Sequence, residues 1–317
     1  MLPPRHTVVT HIAVDGSNLL HRVLHVPKLL ELRSSAGEFT GGVFGFLRSL
    51  RDTAQAYAYQ GLALVAWDSG RSARRKKLYE QYKDKGVPPT PIYLPSGEEF
   101  NYGEEYLHSR AILHTLLSSL GVRSLVLPGK EGDDVLAHAV DLLPSGHVII
   151  QSEDRDFFQL LSDRLSIYRP IASELVTPET FKVEHGFASD RYLFYKALIG
   201  DGSDNIHGIP GVGHTTATKI VQECRDLSEI FTFTEASQNA RYRKVALGFD
   251  IVLRNMELLD LTREEFTEEE NKKIVSAIHS KKPEVDLPGF ASMMTKLELN
   301  SILENARTWC EPFLTLR

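Results

Sequence analysis

Short apolar runs rich in valine and isoleucine recur at 8–14 (VVTHIAV), 62–67 (LALVAW), 123–127 (RSLVL) and 147–151 (HVIIQ). Their length and their lack of polar alternation predict strands buried on both faces. Between them, residues 41–59, 104–120 and 133–143 space their apolar positions as helices do. Strands alternating with helices predict βαβ units, hence an α/β fold with a mostly parallel central sheet flanked by helices. Ligands of such sheets gather at the carboxyl ends of the strands. From about residue 171 the strand signal fades, and 178–186, 190–200, 214–224 and 239–259 read as helices. The expected division is an α/β core over 1–170 and a helical subdomain over 171–317. The core includes the region 71–110, whose least regular stretch is 86–103. Within it, the four prolines and three glycines of 86–103 (GVPPTPIYLPSGEEFNYG) forbid a continuous helix.

Composition excludes several classes. The 317 residues are 42% hydrophobic and 25% charged, as in ordinary globular proteins. No apolar run approaches the ~18 residues that span a bilayer, and the N-terminal segment lacks a signal-peptide pattern, so a cytoplasmic protein is expected. The two cysteines, Cys224 and Cys310, lie far apart, against a disulfide scaffold or a cysteine-built zinc site. The net charge of −6 would ordinarily argue against a nucleic-acid partner. Its distribution argues otherwise. Residues 71–85 carry Arg71, Arg74, Arg75, Lys76, Lys77, Lys83 and Lys85 against only Glu80 and Asp84. Tyr79 and Tyr82 interleave with them, a pattern suited to single-stranded nucleic acid because rings stack on bases while cations meet phosphates.

The acids are distributed just as unevenly. Asp15 follows the first strand and Asp68 the second. Glu131, Asp133 and Asp134 follow the third, and Glu153, Asp154 and Asp156 the fourth. One aspartate after a strand is ordinarily a helix cap; four consecutive strands delivering acid to one sheet edge are more than capping needs. Two carboxylates about 4 Å apart repel by roughly 4 kcal/mol at an effective dielectric near 20. The cluster must therefore take up protons or bind cations. Oxygen ligands without cysteine or histidine favour magnesium or manganese, and paired ions suit in-line displacement at phosphorus. Asp201 and Asp204, spaced i, i+3 in IGDGSDNIHGIPGVG, are candidates to join them.

Gly208-Ile209-Pro210-Gly211-Val212-Gly213 precedes a helix opening near Thr215. Neither a P-loop nor a dinucleotide fingerprint is present. Flanked by helices, the loop reads as an element gripping a nucleic-acid backbone without reading bases. His21 and His25 share helical spacing but lack a third ligand, so they are expected to be packing or surface residues. The acidic run at 264–270 reads as solvated helix, and no G-x-S-x-G elbow supports a serine nucleophile.

Taken in order, VDGSNLLHR, TGGVFGFLRSL, WDSG…RR…YK, EGDD, SEDRD and GDGSDNIHGIPGVGHTTATKI resemble the motifs of the flap endonuclease/5′–3′ exonuclease family. The likeness is to its phage-encoded members and to the 5′ nuclease domain of bacterial DNA polymerase I. It covers about residues 8–225. It implies a PIN-like 5′ nuclease core with a helical arch and a helix–three-turn–helix subdomain. Asp15, Asp68, Glu131, Asp133 and Asp134 fall on the family's first metal cluster. Asp154, Asp156, Asp201 and Asp204 fall on the second. Lys83 matches the catalytic lysine of the arch, Tyr82 the aromatic residue before it and Arg75 a basic arch residue. Arg22 matches a phosphate-contacting arginine. Gly208, Gly211 and Gly213, with Thr215 and Lys219 on the following helix, match the loop that holds duplex DNA, often with K+ on its carbonyls. Where the family pattern has an arginine three residues after the lysine, Gly86 stands, and Lys85 or Arg74 is expected to substitute.

The implied activity is a structure-specific 5′ nuclease, both 5′–3′ exonuclease and flap endonuclease. It hydrolyses DNA near single-strand/duplex junctions with two or more Mg2+ ions, for which Mn2+ can substitute. Expected partners are DNA with 5′ flaps or 5′ ends and a separate DNA polymerase; the protein is expected to be a monomer in a bacterial or phage-infected cell. Two rivals remain open at this point: a PIN-like ribonuclease and a non-catalytic DNA-junction-binding module.

Overall fold

The computed structural model describes residues 8–84, 91–94, 96–281 and 284–316. Lys85, Gly86 and part of the proline-rich stretch lie outside the described residues. The N-terminal half runs β1 (Thr10–Asp15), α1 (Gly16–Val23), α2 (Pro27–Leu30), α3 (Gly41–Tyr57), β2 (Gln60–Trp67), α4 (Ala73–Leu78), α5 (Tyr102–Ser119), β3 (Arg123–Val126), α6 (Gly132–Leu142) and β4 (His147–Gln151). It continues through β5 (Leu165–Arg169) and β6 (Glu174–Val176). Then come α7 (Pro178–His185), α8 (Tyr192–Ile199), the short pair β7 (Gly200–Asp201) and β8 (Ile206–His207), and α9 (His214–Glu223). The remainder is helical: α10 (Leu227–Ala236), α11 (Ala240–Leu247), α12 (Phe249–Leu259), α13 (Glu268–His279), α14 (Leu287–Lys296), α15 (Asn300–Leu303) and α16 (Ala306–Leu314).

The main sheet has the order β3-β2-β1-β4-β5-β6, parallel except for β6. The chain leaves β1 toward β2 on one side and returns as β4 on the other. That reversal opens a crevice at the carboxyl ends of β1 and β4. Strand alternation feeds two cores. Ile12, Val14, Val65, Trp67 and Ile149 face α1, α3 and α5, whereas Ala13, Leu64, Ala66, Val148 and Ile150 face α6 and the helical region. Gly16 lets α1 approach the sheet, because a Cβ there would lie 2.6 Å from Val65 and 2.8 Å from Trp67.

The expected strands and helices of the first 151 residues appear within about three residues of their predicted ends. The boundary at 170/171 needs correction. β6 extends the sheet past it, and α14–α16 return to the first core, where Phe290, Met294, Ile302 and Phe313 join residues of α3 and α5. The Arg51 Nε also donates to the Trp309 carbonyl at 3.2 Å. The sequence assigns these residues only to the helical subdomain and says nothing about which surface their helices would cover. The predicted helix over 239–259 is broken at Gly248 into α11 and α12. Among the described residues no helix is long and apolar enough to cross a membrane.

Candidate metal centre and nucleic-acid interface

The nine predicted carboxylates are anchored one by one around the crevice. Asp15 caps α1, accepting from Asn18 N at 3.0 Å, and its other oxygen accepts from Ser152 Oγ at 2.9 Å. Asp68, just past β2, accepts from Gly132 N at 2.6 Å, which ties it to the start of α6. Glu131 precedes α6; its Oε1 accepts from Ser72 N at 3.1 Å. Its Oε2 accepts from Tyr82 Oη at 2.7 Å, Lys83 Nζ at 2.9 Å and Arg75 Nη1 at 3.2 Å. Asp154 caps the 3-10 turn over Arg155–Leu160. Two of the acids are thus also helix caps, the ordinary role of an aspartate at that position.

Lys196 of α8 gathers the second group. Its Nζ meets Asp156 at 2.8 Å and also Asp201, whose other oxygen accepts from Ser203 N at 2.6 Å. Lys83 joins the two groups. Its backbone N–H donates to Asp204 O at 2.9 Å, and its Nζ lies 3.9 Å from the Asp204 carboxylate. The helical region therefore delivers Asp201 and Asp204 to the sheet edge through the β7–β8 turn.

Burial and mutual repulsion set the proton affinities. Burial, then neighbouring Asp68, pushes Asp15 up to about 7. Burial raises Asp133 and Asp204 to about 6 each, and raises Asp134, with Asp133 beside it, to about 8. Asp154 is raised well above the usual carboxylate range by burial and by Asp156. Glu131 and Asp201 run the other way: burial pushes both up, but Lys83, Arg75 and the Tyr82 hydroxyl hold Glu131, and Lys196 and Ser203 hold Asp201, below the usual range. A largely buried all-oxygen set, several of whose members resist ionisation, fits hard divalent cations.

This gives a testable sign. A carboxylate whose folded pKa exceeds its unfolded value keeps an extra proton on folding. Its stabilising contribution is present below about pH 4 and is lost as pH rises through about 6 to 8. A divalent cation bound there would replace those protons. The rise in Tm on adding magnesium should be small near about pH 5 and should reach on the order of 5 °C near about pH 8, measured by thermal unfolding. A magnesium effect independent of pH would contradict the assignment.

Two family models match the chain. That for the 5′–3′ exonuclease N-terminal resolvase-like domain covers residues 10–186, and that for the 5′–3′ exonuclease C-terminal SAM fold covers 187–281. The chain belongs to the 5′–3′ exonuclease family. It is 31% identical over 304 residues to the thermostable DNA polymerase I of Thermus thermophilus, a match spanning 92% of this chain and 32% of the polymerase. The chain thus spans about a third of the length of that relative. The 5′–3′ exonuclease of Buchnera aphidicola is 25% identical over 247 residues, covering 77% of this chain and 80% of that protein. The T5 D15 protein co-crystallised with metal ions shares the fold at a TM-score of 0.65 and 19% identity, over 91% of this chain and 99% of the other. The catalytic core of Rad2 in complex with DNA substrate does so at 0.53 and 13%, over 96% and 91%. Divalent metal ions are bound in structures of this fold, including zinc in T5 5′-exonuclease.

The basic stretch divides in a way its sequence does not announce. Arg71 is exposed, but Arg75 is only 2% exposed, with its guanidinium on Asp134 and Glu131. Arg74 is half-buried, donating to Glu257 O at 2.7 Å. Tyr82 is 1% exposed. The expectation that Arg75 and Arg74 face phosphate, and that Tyr82 offers a stacking face, therefore needs correction. These side chains are used inside the protein, because buried acids and helix-end carbonyls need cationic and hydroxyl donors. Arg22 is exposed on α1.

In the glycine loop Gly211 and Gly213 are exposed, as are Thr215 and Lys219 on α9. Gly208 is sterically required, since a Cβ there would lie 2.2 Å from the Ile199 carbonyl carbon. Gly211 has φ +83°, a left-handed conformation, and a Cβ on it would sit 3.2 Å from Lys244 Nζ. Lys244, like Lys196, was not identified from sequence. Each stands alone on a helix, without a motif, and only the fold brings it to the site. His21 stacks on Tyr106 at 4.6 Å, and Tyr106 Oη donates to Ser17 Oγ at 3.3 Å, so this histidine packs with rings beside Asp15 and Asp68.

Proposed function

We propose that the protein is a magnesium-dependent, structure-specific 5′ nuclease that cuts DNA near single-strand/duplex junctions, acting both on 5′ ends and on 5′ flaps. The observation carrying this reading is Lys83, a cation shared by Glu131 of one carboxylate group and Asp204 of the other. Asp15, Asp68, Glu131 and Asp133 would hold one ion, and Asp154, Asp156, Asp201 and Asp204 another. Bound there, paired Mg2+ or Mn2+ ions supply an activated water and offset charge on the phosphate. Lys83 is part of the same centre and adds a fixed positive charge for the scissile phosphate. Glu131, held ionised by its donors, keeps its charge available for a cation.

Arg22, Arg71, Thr215 and Lys219 are exposed and suit backbone contacts, which position DNA without reading sequence. Gly208 to Gly213 would grip the duplex, with K+ on their carbonyls. Lys85 is assigned the same role on sequence alone. The proposed setting is the cytoplasm of a bacterial or phage-infected cell, where a monomeric enzyme meets nucleoid DNA and works with a DNA polymerase.

An end-labelled 5′-flap duplex incubated with and without magnesium tests this reading. Cuts within a few nucleotides of the junction, dependent on magnesium and favouring DNA over RNA, are expected. Preference for an RNA flap would favour the PIN-like ribonuclease. Tight junction binding with no cleavage in magnesium or manganese would leave a binding module.

A further inference from the structure

Asp133 and Asp134 are consecutive on the first turn of α6. Consecutive helical residues do not face each other. Asp134 is completely buried, and both its oxygens are taken by one guanidinium: Oδ2 accepts from Arg75 Nη1 at 2.5 Å and Oδ1 from Nη2 at 2.6 Å. This is the two-pronged arginine–carboxylate geometry. Arg75 then spends Nε on the Leu258 carbonyl at the end of α12, at 2.7 Å, and shares Nη1 with Glu131 Oε2 at 3.2 Å. Its guanidinium carbon lies 5.8 Å from the centre of the Tyr82 ring, whose hydroxyl donates to the same Glu131 oxygen. One end of this chain of contacts is Asp134; the other is Glu131.

One carboxylate oxygen each from Glu131, Asp133 and Asp134 lie within 4.8 Å of one another, so distance alone would let all three ligate one ion. For Asp134 to do so, Arg75 must give up its two-pronged partner. A buried guanidinium would then keep only the Leu258 carbonyl and one shared glutamate oxygen. Removing one partner of a buried ion pair is strongly destabilising. Among the described residues Asp133 carries no such commitment; its Oδ1 accepts from the neighbouring Asp134 N.

We propose that Asp134 is a positioning residue and not a metal ligand: it holds Arg75, and Arg75 fixes Glu131 and fastens α4 to the end of α12. The proposal rests on the nuclease reading for its consequence in catalysis, but not for its claim about ligation. Removing both members for apolar residues of similar size spares the protein an orphaned charge. The test therefore compares wild type, Arg75→Met, Asp134→Leu and the double variant, with Asp133→Asn as the ligand control. Two quantities are read: single-turnover cleavage of a 5′-flap duplex across a magnesium titration, and the magnesium-induced rise in Tm.

Arg75→Met and the double variant should agree within about twofold in rate and in half-saturating magnesium, because Asp134 has nothing left to position. Both rates should lie about tenfold or more below wild type, while Asp133→Asn raises half-saturation about tenfold. If adding Asp134→Leu to Arg75→Met raises half-saturating magnesium tenfold, or removes the magnesium-induced Tm rise, Asp134 is a ligand and the proposal fails. Wild-type rates in Arg75→Met would make the pair merely structural, and it fails again. Should wild type not cleave at all, the nuclease reading fails, and the Tm comparison still decides ligation.

Discussion

Asp68→Asn should lower magnesium-dependent cleavage of a 5′-flap duplex by about a thousandfold while leaving the protein folded. The size of the effect follows from where this carboxylate stands. Asp134 is committed to Arg75, and Asp156 and Asp201 share Lys196, whereas Asp68 is exposed at the mouth of the crevice and is the strongest charged influence on Asp15. Its Oδ1 already accepts from Gly132 N, and asparagine can retain that bond through its amide oxygen. The substitution therefore removes a charge from the proposed ion site without removing an anchor of α6. Asp154→Asn probes the second group in the same way. Single-turnover rates across a magnesium titration, with thermal unfolding alongside, separate the loss of chemistry from the loss of fold. Cleavage in Asp68→Asn at wild-type magnesium dependence would sink the two-ion reading.

That such a site exists was legible because its main ingredients are local. An aspartate that follows a buried strand must emerge at the strand's carboxyl end, so HIAVD, LALVAWD and the acids after VLPGK and IIQS converge by topology alone. The glycine loop was legible for a similar reason, since glycine at a left-handed position such as Gly211 marks backbone geometry directly. What the sequence hid is which charge satisfies which. The run RSARRKK reads as one basic surface, yet helical geometry turns Arg75 inward to Asp134 and leaves Arg71 outside. Lys196 and Lys244 stand on separate helices and reach acids or glycines only through tertiary packing. The return of α14–α16 onto α3 and α5 was hidden too, because an amphipathic face specifies that it will be buried, not against what.

Lys83→Ala should reduce the single-turnover rate at saturating magnesium by about a hundredfold, the scale of losing one fixed electrostatic donor. Lys83 sits with φ +54°, anchored through its backbone N–H to Asp204 O at 2.9 Å, and its ammonium lies 5.2 Å from the centre of the Tyr82 ring. The backbone anchor does not depend on the side chain, so alanine removes the charge and leaves the segment in place. Burial opposes that charge, but Asp133, Asp204 and Glu131 raise the ammonium's proton affinity above that of ordinary lysine, so it stays protonated at any working pH. The variant should therefore keep the shape of the wild-type pH–rate profile while losing its height. Affinity for the flap, measured in calcium, should change by less than about fivefold, because phosphate contacts elsewhere carry binding. Lys83→Arg should recover part of the rate but not all of it, since a planar fork meets two carboxylates differently from a compact ammonium. A near-normal rate in Lys83→Ala, or a loss confined to binding, would remove Lys83 from the chemistry and leave it a strut between Glu131 and Asp204.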